Sequence, residues 1–205
     1  MNTFNEQEFL NICSKFNTQP HAEDITLEYE SDSYFSKVKH SVLTDRRGEV
    51  VFCVIRPDGK IITITCEEYP EGVFRIPTGG IGHSEDIIDA VYRETKEELG
   101  VKTDIISFAG ALKIKFKHKN DFVMFYSYIF ILKELGGNLL VDASDDEISE
   151  VMEANLDELA GVVENLGNIK GKWHDWGRFR YETSNAVLKY LKAHQDEIFG
   201  AGSEG

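Results

Sequence analysis

Apolar residues run unbroken from Val50 to Ile55, and a second stretch, Ile61 to Cys66, follows across the turn signal Pro57-Asp58-Gly59. Short runs rich in β-branched residues and bounded by proline and glycine predict two strands joined as a hairpin. Further on, Ile105 to Phe116 and Phe122 to Leu132 are longer strand candidates separated by the polar Lys117-His118-Lys119-Asn120-Asp121, and Glu134 to Asn138 reads as another turn. Ile148 to Leu156 predicts a strand, Asp157 to Leu166 a helix and Tyr181 to His194 a terminal helix. At the front, Phe4, Phe9, Leu10, Ile12, Cys13 and Phe16 suit a short helix, followed by a polar, acidic stretch through Asp32. Strands on both sides of a central helix, with a further helix at the end, predict an α/β fold in which a mixed β-sheet is covered on both faces.

That central helix carries the chemistry. Stepped at about 3.6 residues per turn, Ile88, Val91, Tyr92, Thr95 and Leu99 gather into one apolar stripe. Ser84 is placed to cap the start, Glu85 and Asp86 suit the positive first turn, and Gly100 suits the stop. The helix is therefore expected to begin near Glu85. Glu94, Glu97 and Glu98 occupy the neighbouring arc three and four residues apart, where like charges cost roughly 0.2–0.5 kcal/mol per pair. They also lie toward the negative end of the helix. A local rule broken this densely points to a bound cation. Several carboxylate oxygens suit a hard dication, magnesium or manganese, which keeps waters and takes phosphate oxygens as its remaining ligands. Arg93, beside the cluster, can hold one carboxylate in orientation through charge-assisted hydrogen bonds. Gly79, Gly80 and Gly82 permit a bent loop whose backbone approaches a ligand closely. The competing account of the three glutamates is a solvated helix face in a chain with 36 acidic residues.

Composition narrows the setting. The 205 residues carry a formal net charge of −14, which opposes polymeric nucleic acid because lysine and arginine drive phosphate-backbone binding. A small nucleotide stays compatible, since a metal supplies the local positive charge. No apolar run reaches the roughly 18 residues of a membrane span, and the first eight residues lack the basic and apolar regions of a secretory signal. Cys13, Cys53 and Cys66 have neither zinc-site spacing nor disulfide density and read as reduced thiols, so a cytoplasmic protein is expected. Cys53 and Cys66, inside apolar stretches, are expected to be buried. The division expected is a helical N-terminal extension over 1–37, suited to dimerisation or to the substrate side, and a catalytic domain with a C-terminal helix over 38–205.

Gly79, five residues, Glu85, seven residues, then Arg93-Glu94-Thr95-Lys96-Glu97-Glu98-Leu99-Gly100-Val101 resembles the Nudix box at every fixed position. One slot departs, because Thr95 stands where an aliphatic residue is usual; its methyl can pack there. The resemblance implies an α/β/α sandwich over roughly residues 38 to 165 and hydrolysis of a diphosphate linkage. It further implies that Glu94, Glu97 and Glu98 hold the metals, that the Gly79 carbonyl joins them, and that Glu85 and Arg93 brace loop and helix.

Outside the box, the acidic stretch Asp142 to Glu150 lies where, as the Nudix resemblance implies, a loop acid joins the metal site or serves as general base, with Glu147 first and Asp146 and Glu150 behind it; the alternative is a solvated loop. Arg75 precedes the box closely enough to reach a phosphate or ribose, and with Gly80 it is the candidate substrate contact. Lys113, Lys115 and Lys117 share one strand face and read as protection of an exposed sheet edge rather than as phosphate ligands. Trp173, His174, Trp176, Arg178 and Arg180 read as packing and helix capping before base stacking. Among functions, a metal-dependent hydrolase of a nucleoside diphosphate linked to another moiety leads, ADP-ribose-like first and nucleoside triphosphates second. Phe116 to Lys119 lacks the proline or tyrosine associated with ADP-ribose or dinucleoside polyphosphates, and marks for coenzyme A or NADH are absent. An isopentenyl-diphosphate isomerase would need a reactive cysteine in a distinctive motif, which neither Cys53 nor Cys66 has. A non-catalytic nucleotide sensor would typically have lost box acids that this chain keeps.

Overall fold

A computed structural model describes residues 3–145 and 147–200. The central run lies in β2 (Arg46–Ile55) and is buried on both sides, Val50 to Ile55 being 0–5% exposed. Its alternating side chains feed two separate cores, and this is why the run shows no polar alternation. Val51, Cys53 and Ile55 face α2 (Asp32–Thr44), α4 (Leu156–Asn168) and α5 (His174–Ala193). Val50, Phe52 and Val54 face α1 (Glu6–Lys15) and α3 (Ile87–Glu94). The result is a sheet sandwiched between helices.

Strand order is β1 (Ala22–Glu28), β5 (Val101–His118), β6 (Asp121–Gly137), β2, β3 (Ile61–Cys66), β7 (Ile148–Ala154), with β4 (Thr78–Gly82) pairing the first half of β2. β1 runs parallel to β5 and β2 parallel to β6, while the remaining pairs are antiparallel. The sheet is mixed, as expected. The predicted hairpin at Pro57 to Gly59 forms, with the Arg56 amide donating to the Lys60 carbonyl at 2.8 Å.

Three expectations change. The acidic N-terminal stretch is not simply polar: it supplies β1 and the start of α2, and the division expected at 37/38 falls inside that helix. β5 is therefore covered by β1 from Ala111 to Lys117, so the lysine stripe is not on an exposed edge. Lys113 instead pairs with Glu6 at 3.0 Å and Lys117 with Glu28 at 2.6 Å. The terminal helix begins at His174, because Trp176 and Phe179 are core residues that the helix must present to the sheet.

Among the described residues, no helix is long and apolar enough to cross a membrane. β1 docks where Gly110 lets it approach: φ is +128° and an added Cβ would lie 2.4 Å from the His21 carbonyl oxygen. We expect Gly110→Ala to lower unfolding free energy by roughly 2 kcal/mol or more in urea titration, since it combines a clash with a left-handed backbone. Amide exchange should quicken first across Ala22–Glu28.

Candidate active site

The site is built around one guanidinium. Arg93, on the last turn of α3, grips Glu85 with two hydrogen bonds, Nε to Oε1 at 2.6 Å and Nη2 to Oε2 at 3.0 Å. Nη2 also donates to the Gly80 carbonyl at 2.8 Å, and Nη1 donates to Glu94 Oε1 at 2.8 Å and to Glu97 Oε2 at 2.9 Å. Glu85 in turn accepts from the Gly82 amide at 2.9 Å, which closes the loop between strand and helix. The Glu85 hydrogen bonds hold Arg93 firmly protonated, and Arg93 in turn holds the Glu85 carboxyl below its usual range.

The helix differs from expectation in three respects. Asp86, not Ser84, is the cap; its carboxylate accepts from the Ile88 and Asp89 amides at 2.8 and 3.3 Å. The buried stripe is Ile87, Ala90, Val91, Thr95 and Leu99, with Tyr92 turned out to 41% exposure. This rotation brings Glu94 inward against β4. Finally, Thr95 to Leu99 form a π-helical turn, a form concentrated at functional sites. Thr95 donates its hydroxyl to the Val91 carbonyl at 2.6 Å, so its polar atom is satisfied while the residue is buried.

Gly79 has a steric reason to lack a side chain. The Glu94 side chain crosses directly over it, and an added Cβ would lie 2.0 Å from Glu94 Cγ. Glu94 is buried and Glu97 is 43% exposed at its side chain. Burial raises the Glu94 carboxyl above its ordinary value. Glu98 goes further: burial, reinforced by Glu94, Asp145 and Glu147 and opposed by Arg75, pushes its carboxyl to about 8. Its Oε2 is buried with no hydrogen-bond partner among the described residues.

The acidic loop reaches the same place. The Ser144 and Asp145 amides donate to the Glu97 carbonyl at 3.0 Å each, and the Glu147 amide donates to Asp145 Oδ1 at 2.9 Å. Gly100, left-handed at φ +71°, leaves room for this packing, since an added Cβ would lie 2.4 Å from the Ala143 amide nitrogen. Glu147 is exposed and acts electrostatically on Glu98. Glu150 pairs in register with Thr65, and Asp146 lies outside the described residues. Asp145, passed over by sequence reasoning, acts more strongly on Glu98 than Glu147 does; the tie between the loop and the Glu97 carbonyl is tertiary and leaves no trace in spacing.

Arg75 is buried. Its Nε donates to Tyr69 Oη at 2.9 Å and its Nη1 to the Ile76 carbonyl and Thr78 Oγ1 at 3.0 and 3.2 Å. Much of its donor capacity is thus committed to the protein. Cys53 is buried as expected, but Cys66 is only half-buried, in the company of Tyr69, Arg75, Glu98 and Glu147. Trp173 and Trp176 pack against each other and against Tyr69, with centroids 4.5–6.0 Å apart.

The donor set of Glu94, Glu97, Glu98 and the Gly79 carbonyl has the chemistry of a hard-cation site, and the orphaned Glu98 oxygen leaves an acceptor to be satisfied. Among the described residues no three acids converge as a ready chelate. Arg93 Nη1 bridges Glu94 and Glu97 and occupies the place where positive charge is needed.

This loop, strand and helix define a Nudix-type domain. The chain belongs to that family: the NUDIX domain model matches residues 45–177. It is 31% identical over 90 residues to Nudix hydrolase 8 of Arabidopsis thaliana, covering 42% of this chain but 23% of that protein. It is 33% identical over 123 residues to an ADP-ribose pyrophosphatase of Methanocaldococcus jannaschii, covering 58% of this chain and 70% of that protein. The solved structure of an ADP-ribose pyrophosphatase from Streptococcus suis matches with a TM-score of 0.44 at 16% identity, over 69% of this chain and 88% of that one.

The raised Glu98 carboxyl has a stability consequence. The folded protein keeps a proton there that the unfolded chain, titrating near 4.5, releases. Its favourable contribution is complete below about 4.5 and is lost as pH rises through about 8. Glu98→Gln removes this slope. Thermal melts in chelator should show the variant and parent alike near pH 4.5 and the variant several degrees more stable near pH 8.5.

Proposed function

We propose that the protein is a divalent-cation-dependent hydrolase that cleaves the diphosphate linkage of a small nucleotide substrate. The observation that carries this reading is the buried, unpartnered Glu98 oxygen set beside Glu94 and Arg75. An uncompensated buried carboxylate is costly in a fold with no use for it. Glu94, Glu97, Glu98 and the Gly79 carbonyl would hold magnesium or manganese, which supplies neutralisation of the diphosphate and a lowered pKa for attacking water. Arg93 keeps its grip on Glu85 and Gly80 and thereby fixes loop and helix, while Nη1 gives up Glu94 and Glu97. Glu147 would take the proton of the attacking water; the reading is supported by the tie of its loop to the Glu97 carbonyl and by the Glu147 amide donating to Asp145. Arg75, through the donors it does not commit to Tyr69, Ile76 and Thr78, and the Gly80 backbone would contact the phosphates. The similarity to the ADP-ribose pyrophosphatase of Methanocaldococcus jannaschii supports ranking a nucleoside diphosphate joined to a second moiety ahead of nucleoside triphosphates.

A panel of nucleotide substrates with magnesium or manganese tests this, with Glu97→Gln in parallel. We expect phosphate-bond cleavage by the parent and a loss of about 100-fold or more in kcat in the variant, in line with removal of a group that stabilises transition-state charge. Equal turnover by both proteins removes Glu97 from the mechanism, and no turnover of any substrate favours a nucleotide sensor. Independently, magnesium should raise the melting temperature of the parent and leave that of Glu94→Gln nearly unmoved, because only a folded-state site gains from the ion.

A further inference from the structure

Glu85 is held at both its side chain and its backbone. Arg93 grips the carboxylate, and the Glu85 carbonyl accepts from Arg47 Nη2 at 2.7 Å. Arg47 reaches in the other direction as well, Nη1 donating to Glu8 Oε2 at 2.9 Å and Nη2 to Glu8 Oε1 at 2.7 Å. Glu8 stands in the first turn of α1 and lies outside the family-matched segment 45–177, whereas Arg47 and the whole box lie inside it. One guanidinium therefore ties the N-terminal helix to the residue that anchors the glycine loop.

The backbone aims this side chain. The β2–β4 register passes from Arg46 opposite Gly82 to Gly48 opposite Ile81, so Arg47 is the extra residue of a β-bulge. A bulge re-aims a side chain, and bulges gather beside active sites. The helix that receives it is a firm support: α1 buries Phe9, Ile12 and Cys13, with Phe9 5.8 Å from the Phe108 ring, and Phe4 ahead of it rests on Tyr126 and Tyr128 at 5.2 and 6.0 Å. Exposed ion pairs contribute little to stability, but the Arg47 and Glu8 side chains are only 19% and 20% exposed, and a two-pronged pair fixes direction as well as distance. Arg93 first, and Arg47 as a smaller influence, hold the Glu85 carboxyl below its usual range.

We propose that Arg47 is a positioning residue of the active site, through which α1 holds the Glu85 end of the glycine loop and so keeps the Gly79 carbonyl and Glu94 in place for the cation. The N-terminal helix is then part of the frame of the site as well as a cover for the sheet. Without the Glu8 contact the Arg47 side chain moves, and the Glu85 carbonyl moves with it. Arg93 follows Glu85, and the Gly82 amide loses its carboxylate partner part of the time. The inference takes the cation from the hydrolase reading above, while the brace on the loop exists with or without the ion.

Arg47→Met, Glu8→Gln and the two combined test this, with Lys113→Met, which breaks the Glu6 pair on the same helix, as the control. In metal-free protein the Gly82 amide should exchange roughly tenfold faster in all three, while amides of β6 and α5 are unmoved, as for a local opening and not a global one. Manganese affinity by titration calorimetry should fall about fivefold in each, a coupling of ordinary size between two parts of a protein. The combined variant should lose no more than Arg47→Met alone, because both changes act through one contact. In turnover, the half-saturating magnesium concentration should rise by the same factor with kcat at saturation nearly unchanged, a split that a helix serving stability alone does not produce. If Arg47→Met fails to fold, Glu8→Gln against Lys113→Met carries the comparison. Unchanged Gly82 exchange overturns the inference, as does a manganese affinity equal to that of a parent that binds the ion, a loss that adds in the combined variant, or one that Lys113→Met reproduces. A parent that binds no manganese and turns over no nucleotide removes the hydrolase reading, and Gly82 exchange then decides by itself whether α1 braces the loop.

Discussion

The five hydrogen bonds of Arg93 are the constraint on which the site depends. A planar guanidinium has fixed donor directions, so satisfying Glu85, the Gly80 carbonyl, Glu94 and Glu97 at once sets the angle between β4 and α3. A lysine, with one rotatable point charge, could not span these four partners. Glu85 is then a hinge pin more than a ligand: it ties Arg93 to the Gly82 amide and thereby makes the glycine loop rigid. The cost of gathering acids at the negative end of a helix is offset by this one cation.

From that anchor the rest of the centre is assembled by close approach. Glu94 lies across Gly79, Gly100 admits the loop that follows β6, and the π-helical turn between them offsets Glu97 and Glu98 from the positions a regular helix would give. The Glu97 backbone holds the acidic loop while its side chain faces Arg93, so a single residue joins the box helix to the acidic loop. Glu98, whose Oε2 is buried, and the Arg75 guanidinium lie near these pieces, and Arg75 opposes the burial that raises the Glu98 carboxyl.

Legibility followed range. Val50 to Ile55, Ile61 to Cys66 and the glutamates of the box were readable because each is a local pattern, either a run or a fixed spacing. What escaped depends on partners far along the chain. β1 carries Glu23, Asp24 and Glu28 and reads as part of a polar, acidic stretch, yet it becomes a strand because β5 offers it a parallel edge beside Gly110. The lysine stripe looked like edge protection until β1 covered it. The rotation of the α3 stripe by one residue follows from the need to seat Glu94 against β4, which no periodicity encodes. Arg180 is read from the sequence as packing or capping before base stacking, and only the fold shows it joined to Glu49.

Because β1 rather than β5 forms one border of the sheet, the first 37 residues cover the β5 main chain from Ala111 to Lys117. Trimming the chain back to the family-matched segment would lay bare the main-chain donors and acceptors of β5 from Ala111 to Lys117. Such a border recruits strands from other molecules. A shortened version would retain every glutamate of the box and still face clumping and fibril-like association.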